Sequence, residues 1–192
     1  MKLNKVLFTS LNLMMSILIF FFFSGVTASS EAKVQDNRVE IEKVYNAIYR
    51  VGYKNPQKGM KIAGLIYKES IHYNINPKVL VAIIMVESSF RQDVVSSTGD
   101  ISLAQINVKT WTKEFKRLKR KGLDEKRMHK EPAYAIARMA EILSILAERH
   151  EGKKDWFAYY HSSTPEHKKA YFNRVVNKLA MMDKTLSLIN SN

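Results

Sequence analysis

Hydrophobic positions along this chain recur mainly at helical spacing, and the strict alternation typical of strands is scarce. Short polar turns separate the periodic segments, and only four prolines and seven glycines interrupt the chain. No internal repeat, low-complexity tract or Pro/Gly-rich linker is visible. The pattern predicts a mainly α fold, with helices at about Val39–Val51, Lys58–Tyr73, Pro77–Glu87, Leu103–Lys109 and onward, Glu131–Arg149, Trp156–His161 and Pro165–Leu188.

The helix predicted from Pro77 has the clearest start signal and the clearest apolar face. Asn76 is suited to cap the free N–H groups of its first turn, and proline is favoured at the first helical position. Leu80, Ile83 and Ile84 follow at spacings that place them on one side. This side is predicted to face the core.

Glu87 extends the same apolar face, seven residues after Leu80. A carboxylate in such a place is costly unless it is paired or protonated. One interpretation is a structural ion pair, with Arg91 four residues on as the partner. The other is a general acid, because burial raises a carboxyl pKa towards neutrality.

The segment after Glu87 is rich in hydroxyl and amide groups. A polar turn runs from Ser96 to Gly99, and Ser102 to Ile106 then lead towards a second helix. A carboxylic acid beside such a loop is suited to a neutral, hydroxyl-dense ligand such as a sugar. This favours the general-acid interpretation.

These residues resemble the signature of lytic transglycosylases with a goose-type-lysozyme-like catalytic domain. That signature has E-S-x-F, a Ser nine positions after the Glu, a Gly at twelve and G-L-M-Q ending at eighteen. Ser102 and Ala104 depart from it, where the family usually has Gly and Met. The positions that match without a gap are Glu87, Ser88, Phe90, Ser96, Gly99, Leu103 and Gln105.

A second block, from Trp156 to Glu166, resembles the Tyr-His-Ser-x-Thr-Pro-Glu element near the end of many such domains. As in the family, a Tyr and a Val follow it, here Tyr171 and Val175. The resemblance implies that the Tyr160 hydroxyl points at the catalytic carboxyl; the alternative is a core aromatic whose hydroxyl is bonded to backbone. His161 belongs to the same block and is expected to line the cleft, with a surface or capping histidine as the alternative.

The resemblance implies a single lysozyme-like helical domain that cleaves the β-1,4 bond between N-acetylmuramic acid and N-acetylglucosamine. Glu87 would act first as acid and then as base, which forms a 1,6-anhydromuramoyl end. No cofactor or metal is expected, since the five histidines lack ligand spacing and there is no cysteine. The substrate-binding residues implied are Ser88, Ser96, Ser102, Gln105, Tyr160 and His161.

Two alternatives to transglycosylation stay open at this point. One is a hydrolase of the same fold in which Asp93 or Asp100 positions a water molecule. The other is a non-catalytic peptidoglycan-binding or secretion-scaffold protein, in which Ser102 and Ala104 reflect lost turnover.

The N-terminus has the pattern of a secretory signal peptide. Lys2 and Lys5 precede a strongly apolar run, and Val26 to Ala28 are suited to cleavage after Ala28. An uncleaved membrane anchor is the alternative. We therefore expect export to the periplasm, with residues 1–28 as signal peptide, 29–58 as a partly helical extension and 59–192 as the transglycosylase domain.

The charge of the chain is strongly basic, with 31 Lys and Arg against 18 Asp and Glu. Loss of the signal peptide would leave about +11, with the excess gathered at Lys109–Lys130. Peptidoglycan glycan strands are the expected partner. A basic surface would also suit anionic envelope polymers or a secretion apparatus. The alternative is that these charges form only a solvated helix face with no binding role. Nucleic-acid binding is disfavoured, because no known motif appears and an export signal does.

Overall fold

Most of the protein is helical in the computed structural model, which describes residues 33–189 and their side chains as far as Asp183. The predicted signal peptide lies outside the described residues. Contacts divide the chain into a unit that ends at Glu40 and a unit that begins at Ile41. In the first unit, residues 33–40 are helical, and Val34 and Val39 are exposed.

The second unit is built from helices around one apolar core. Its helical residues 41–50 form α1, whose Val44, Ala47 and Ile48 are buried in that core. Part of the segment predicted as an extension, from residue 41 onward, thus belongs to this unit. The other helices are α2 (Pro56–His72), α3 (Pro77–Ser88), α4 (Val108–Arg117), α5 (Glu125–Lys130), α6 (Pro132–Arg149), a 3₁₀ helix (Trp156–Tyr160) and α7 (Pro165–Ile189).

The prediction of a mainly α fold is confirmed. Between residues 33 and 189 the only β-type pairing consists of isolated bridges, which join Ile101 to Val95 and to Ile106. Across the same range, none of the helices combines the length and apolar character needed to span a bilayer. The predicted bounds of α2, α3, α6, the 3₁₀ helix and α7 lie within two residues of the observed ones.

Helix α3 runs through the centre of the core. The Asn76 side chain accepts the backbone N–H of Lys78 at 2.9 Å, which confirms the predicted cap. Leu80, Ile83 and Ile84 are completely buried, and the helix packs against α2 and α7. Burial of each of these three aliphatic side chains stabilises the fold by roughly 1.5–3 kcal/mol. The apolar face therefore fixes the C-terminal end of α3 against the core.

The loop from Arg91 to Asn107 replaces a helix that was predicted to begin at Leu103. Ile101 and Ile106 exchange backbone hydrogen bonds at 3.0 and 3.1 Å, so residues 102–105 form a tight turn instead. The Asn107 side chain then accepts the N–H of Thr110 at 2.9 Å and starts α4 at Val108. The predicted helix start at Leu103 was wrong because the pairing of Ile101 with Ile106 and the Asn107 cap place the first residue of α4 at Val108.

Helix α5 was not predicted. It has six residues, capped by Asp124, and Met128 is its only fully buried side chain. One buried apolar side chain in a charged segment gives no helical periodicity of hydrophobic positions from which this helix could be predicted.

Ser102 adopts a backbone angle that glycine adopts more easily, with φ of +72°. We expect Ser102→Gly to have a free energy of unfolding about 1 kcal/mol greater than Ser102→Ala. Both variants lose the hydroxyl that accepts the N–H of Ala104 at 3.3 Å, but only glycine relieves the strain on Cβ. Chemical denaturation of the two variants measures the difference, and an alanine variant of equal stability would contradict it.

Candidate active site

A cavity of about 600 Å³ opens beside the C-terminal end of α3. Its wall comes from that helix end, the loop before α4, the first turn of α4, and the 3₁₀ helix with the residues after it. The wall is rich in hydroxyl, amide and aromatic groups. The lining residues are Glu87, Ser96, Thr98, Asp100, Gln105, Asn107, Thr110, Trp111, Tyr159, Tyr160, His161, Ser162 and His167.

Glu87 lies at the inner wall of this cavity, at the end of the buried face of α3. Its Oε1 atom is inaccessible to solvent and has no hydrogen-bond partner among the described residues. Burial raises the pKa of this carboxyl from about 4.5 to about 7. The carboxyl is therefore not locked in the ion pair with Arg91 that the sequence left open: Arg91 Nε donates to the Ser88 carbonyl at 2.9 Å.

Tyr171, on α7, is the phenol that interacts with the Glu87 carboxyl. This contact and the positive charge of Arg174 favour the ionised carboxylate and partly oppose the rise in its pKa. Neither the Tyr171 hydroxyl nor Glu87 Oε1 has a fully formed hydrogen bond within the described residues. The contact is therefore an electrostatic interaction between the two groups. Burial, with a further contribution from Glu87, raises the pKa of Tyr171 well above its usual range.

The Tyr160 hydroxyl does not take the role implied by the resemblance. It donates a hydrogen bond of 2.7 Å to the Ala104 carbonyl, so its proton is directed at the loop rather than at Glu87. The ring still lines the cavity, and burial raises the pKa of this phenol well above its usual range. The sequence placed Tyr160 in the cavity correctly but assigned its hydroxyl to the wrong acceptor.

Two residues predicted to bind substrate lie outside the cavity wall. Ser88 is buried, and its hydroxyl donates to the Leu103 carbonyl at 2.7 Å. Ser102 is completely buried, and its hydroxyl accepts the Ala104 N–H. Both hydroxyls are used to hold the loop, so neither is available to a ligand in this cavity.

Three other predicted binding residues, Ser96, Gln105 and His161, do line the cavity. The amide of Gln105 donates to the carbonyls of Val94 and Ser102 at 3.0 and 2.9 Å, which leaves its oxygen as the group free to face a ligand. The His161 ring stacks on Tyr171 with 4.8 Å between centroids. Partial burial and the charge of Arg174 lower the pKa of His161, which favours the neutral imidazole.

Asp100 is the second carboxylate of the cavity wall. It accepts hydrogen bonds from Ser96 Oγ at 3.0 Å, Thr98 Oγ1 at 2.6 Å and Asn107 Nδ2 at 2.9 Å. This network fixes the polar turn against the start of α4. Asp100 also contributes a smaller part of the rise in the Glu87 pKa, because like charges disfavour each other.

Several cavity residues were missed by the sequence reading, among them Trp111 and Tyr159. Trp111 follows the polar loop in the first turn of α4, and an aromatic side chain there is the signal that could have identified it. Tyr159 directly precedes Tyr160 in the second block, and of these two adjacent aromatics only Tyr160 was predicted to bind substrate. Searched across the described residues, no group of His, Cys, Asp and Glu side chains could hold a metal ion.

Comparison with protein families matches residues 64–172 to the family described as the transglycosylase SLT domain. The match spans more than half of the chain and contains α3, the loop, and the 3₁₀ helix that border the cavity. No curated protein shows significant similarity to the chain. The chain therefore belongs to the transglycosylase SLT family, whose activity is lytic transglycosylation of peptidoglycan, and it forms a lysozyme-like helical domain.

Proposed function

We propose that Glu87 cleaves the bond between N-acetylmuramic acid and N-acetylglucosamine, as acid and then as base, and leaves a 1,6-anhydromuramoyl end. One observation carries this proposal: the Glu87 carboxyl, whose Oε1 atom is inaccessible to solvent and whose pKa burial raises to about 7, lies in the wall of a cavity lined by hydroxyl and amide groups. Near pH 7 its protonated and ionised forms are both populated. The same group can then give a proton and take one back.

In the first step the Glu87 carboxylic acid protonates the glycosidic oxygen, and the bond between this oxygen and the muramoyl C1 breaks. The centre left on the muramoyl ring resembles an oxocarbenium ion, which its own N-acetyl group can stabilise. In the second step the muramoyl C6 hydroxyl attacks C1 and gives its proton to the Glu87 carboxylate. No water is consumed, so the reaction is that of a carbon–oxygen lyase.

An internal hydroxyl group removes the need for a second catalytic carboxylate. Intramolecular nucleophiles reach effective molarities of about 10⁵ M or more, which allows them to outcompete water in an enclosed site. The interaction of Tyr171 with the carboxyl favours its ionised form, so it stabilises the carboxylate that Glu87 becomes when it gives up its proton in the first step.

A hydrolase would need a group that positions water. Asp93 is exposed and does not line the cavity, which leaves Asp100 for that role. The Asp100 carboxylate already accepts three side-chain hydrogen bonds, and this favours a structural role in the wall. The masses of the products distinguish the two reactions.

Replacement of Glu87 with Gln keeps the shape of the side chain and removes the proton that the first step requires. We expect this variant to release soluble muropeptides from purified sacculi about 10²- to 10⁴-fold more slowly than wild type. Mass spectrometry of the wild-type digest should show muramoyl ends lighter by one water. Reducing ends would indicate hydrolysis instead, and equal release by both proteins would indicate a non-catalytic role.

Activity should depend on pH through the Glu87 carboxyl. Because the first step needs the protonated acid, we expect kcat/KM to fall as the pH rises through about 7. Tyr171→Phe removes an interaction that lowers this pKa, so the falling limb should move to higher pH.

Tyr160→Phe is the matched control for this pH profile. It also removes one hydroxyl from the cavity region, but that hydroxyl donates to the Ala104 carbonyl rather than to Glu87. The limb should stay in place in this variant. A shift in Tyr160→Phe without one in Tyr171→Phe would show that the roles of the two phenols are reversed.

We further propose that the protein is exported and acts in the periplasm, as the basic start, apolar run and small residues before Ser29 favour. Expression of the full chain should yield a mature protein that begins at Ser29, which intact-mass measurement of the purified protein would detect. Recovery of a membrane-bound protein that retains its first 28 residues would support the uncleaved anchor instead.

A further inference from the structure

A second cavity, of about 630 Å³, adjoins the first one. The two cavities share Thr110, Trp111 and Tyr159 in their walls. A polymer that occupies the first cavity can therefore continue into the second past the start of α4. The second cavity is otherwise lined by side chains from α4, from the end of α6 and from Ser163.

Three positively charged side chains line the second cavity: Lys113, Arg117 and Arg149. Glu114 is the only acid among its lining residues. Glu114 accepts hydrogen bonds from Arg117 at 2.8 and 2.9 Å and a further one from Arg149. These partners hold the pKa of Glu114 at about 2, so the four groups together carry two positive charges in excess at neutral pH.

The positive groups keep donors that Glu114 does not use. Lys113 makes no ion pair within the described part of the chain, and its side chain is exposed. Arg149 uses one terminal nitrogen on Glu114, which leaves most of its N–H groups for another acceptor. Guanidinium and carboxylate groups pair well through two parallel hydrogen bonds, so a ligand carboxylate fits this wall.

The Tyr159 side chain forms a fixed ridge between the two cavities. His150 stacks on its ring with 3.5 Å between centroids, and burial lowers the pKa of that histidine, which favours its neutral form. On the other side, Lys168 donates to the Tyr159 hydroxyl at 2.9 Å and is itself paired with Asp155. The ridge is thus held in place from several directions, and it adds no negative charge to the second cavity.

We propose that the second cavity binds the carboxylate-bearing peptide stem of a peptidoglycan strand whose sugars occupy the first cavity. This inference rests on the proposed function, because it takes the first cavity to hold the glycan. The sugars of the strand supply hydroxyl and amide groups, whereas its free carboxylates lie on the stems. A wall with excess positive charge next to a cavity rich in hydroxyl and amide groups matches that division.

The test compares two soluble glycan fragments of equal sugar length, one with peptide stems and one without. Binding is measured by calorimetry to the full chain carrying Glu87→Gln, so that no turnover occurs. We expect the stem-bearing fragment to bind about fivefold to tenfold more tightly at low ionic strength, and added salt to narrow the difference. Equal affinities for the two fragments would overturn the proposal.

A pair of double variants in the same Glu87→Gln background locates the preference. Lys113→Gln with Arg149→Gln removes two charges from the second cavity and should abolish the preference for stems. Lys61→Gln with Lys169→Gln removes two exposed charges that line neither cavity, and it should keep the preference. Equal loss in both double variants would indicate general charge attraction and overturn the site, and thermal unfolding of each variant checks that it folds.

Turnover of both fragments by the wild-type chain is measured in parallel. If neither fragment were turned over, the proposed function would be overturned, whereas the affinities measured with Glu87→Gln still decide whether stems are recognised. The two failures are therefore distinguishable.

Discussion

The contact between one carboxyl group and the apolar core controls the chemistry of this cavity. Glu87 follows the fully buried face of α3, and burial keeps water from one of its carboxyl oxygens, Oε1. The resulting rise in pKa from about 4.5 to about 7 also links ionisation to folding. Since the folded chain favours the neutral acid, this contribution to stability is fully present below about pH 4.5 and is lost as the pH rises through about 7. The proposed reactivity of Glu87 at neutral pH and the reduced stability of the fold there have the same cause.

The loop before α4 supplies the polar wall of the cavity beside Glu87. Its turn is closed by backbone pairing of Ile101 with Ile106, and Asp100 ties Ser96 to Asn107 at the cavity wall. A loop of this kind can be polar without being loose, because most of its polar groups have internal partners. These internal hydrogen bonds leave a limited set of groups, such as the side-chain amide oxygen of Gln105, to face a ligand.

The sequence predicted most of the helices and the place of Glu87 near the end of α3, because both depend on local patterns. The spacing of Leu80, Ile83 and Glu87 and the cap at Asn76 are readable along one helix. The sequence did not predict which partner each hydroxyl group of the site would meet. The Ser88 hydroxyl turns inward to Leu103, and Tyr171 rather than Tyr160 meets the carboxyl, because distant segments supply these partners. No residue pattern records that choice.

The carbonyls of Leu103 and Ala104 hold the loop through Ser88 and Tyr160. Every amino acid brings the same main-chain oxygen, so these two anchors are indifferent to which side chain occupies either position. Methionine can thus give way to alanine at position 104 with both tethers intact, limited only by the space available in the interior. Side chains at positions 103 and 104 can therefore change without removing the two hydrogen bonds that hold the loop beside the cavity.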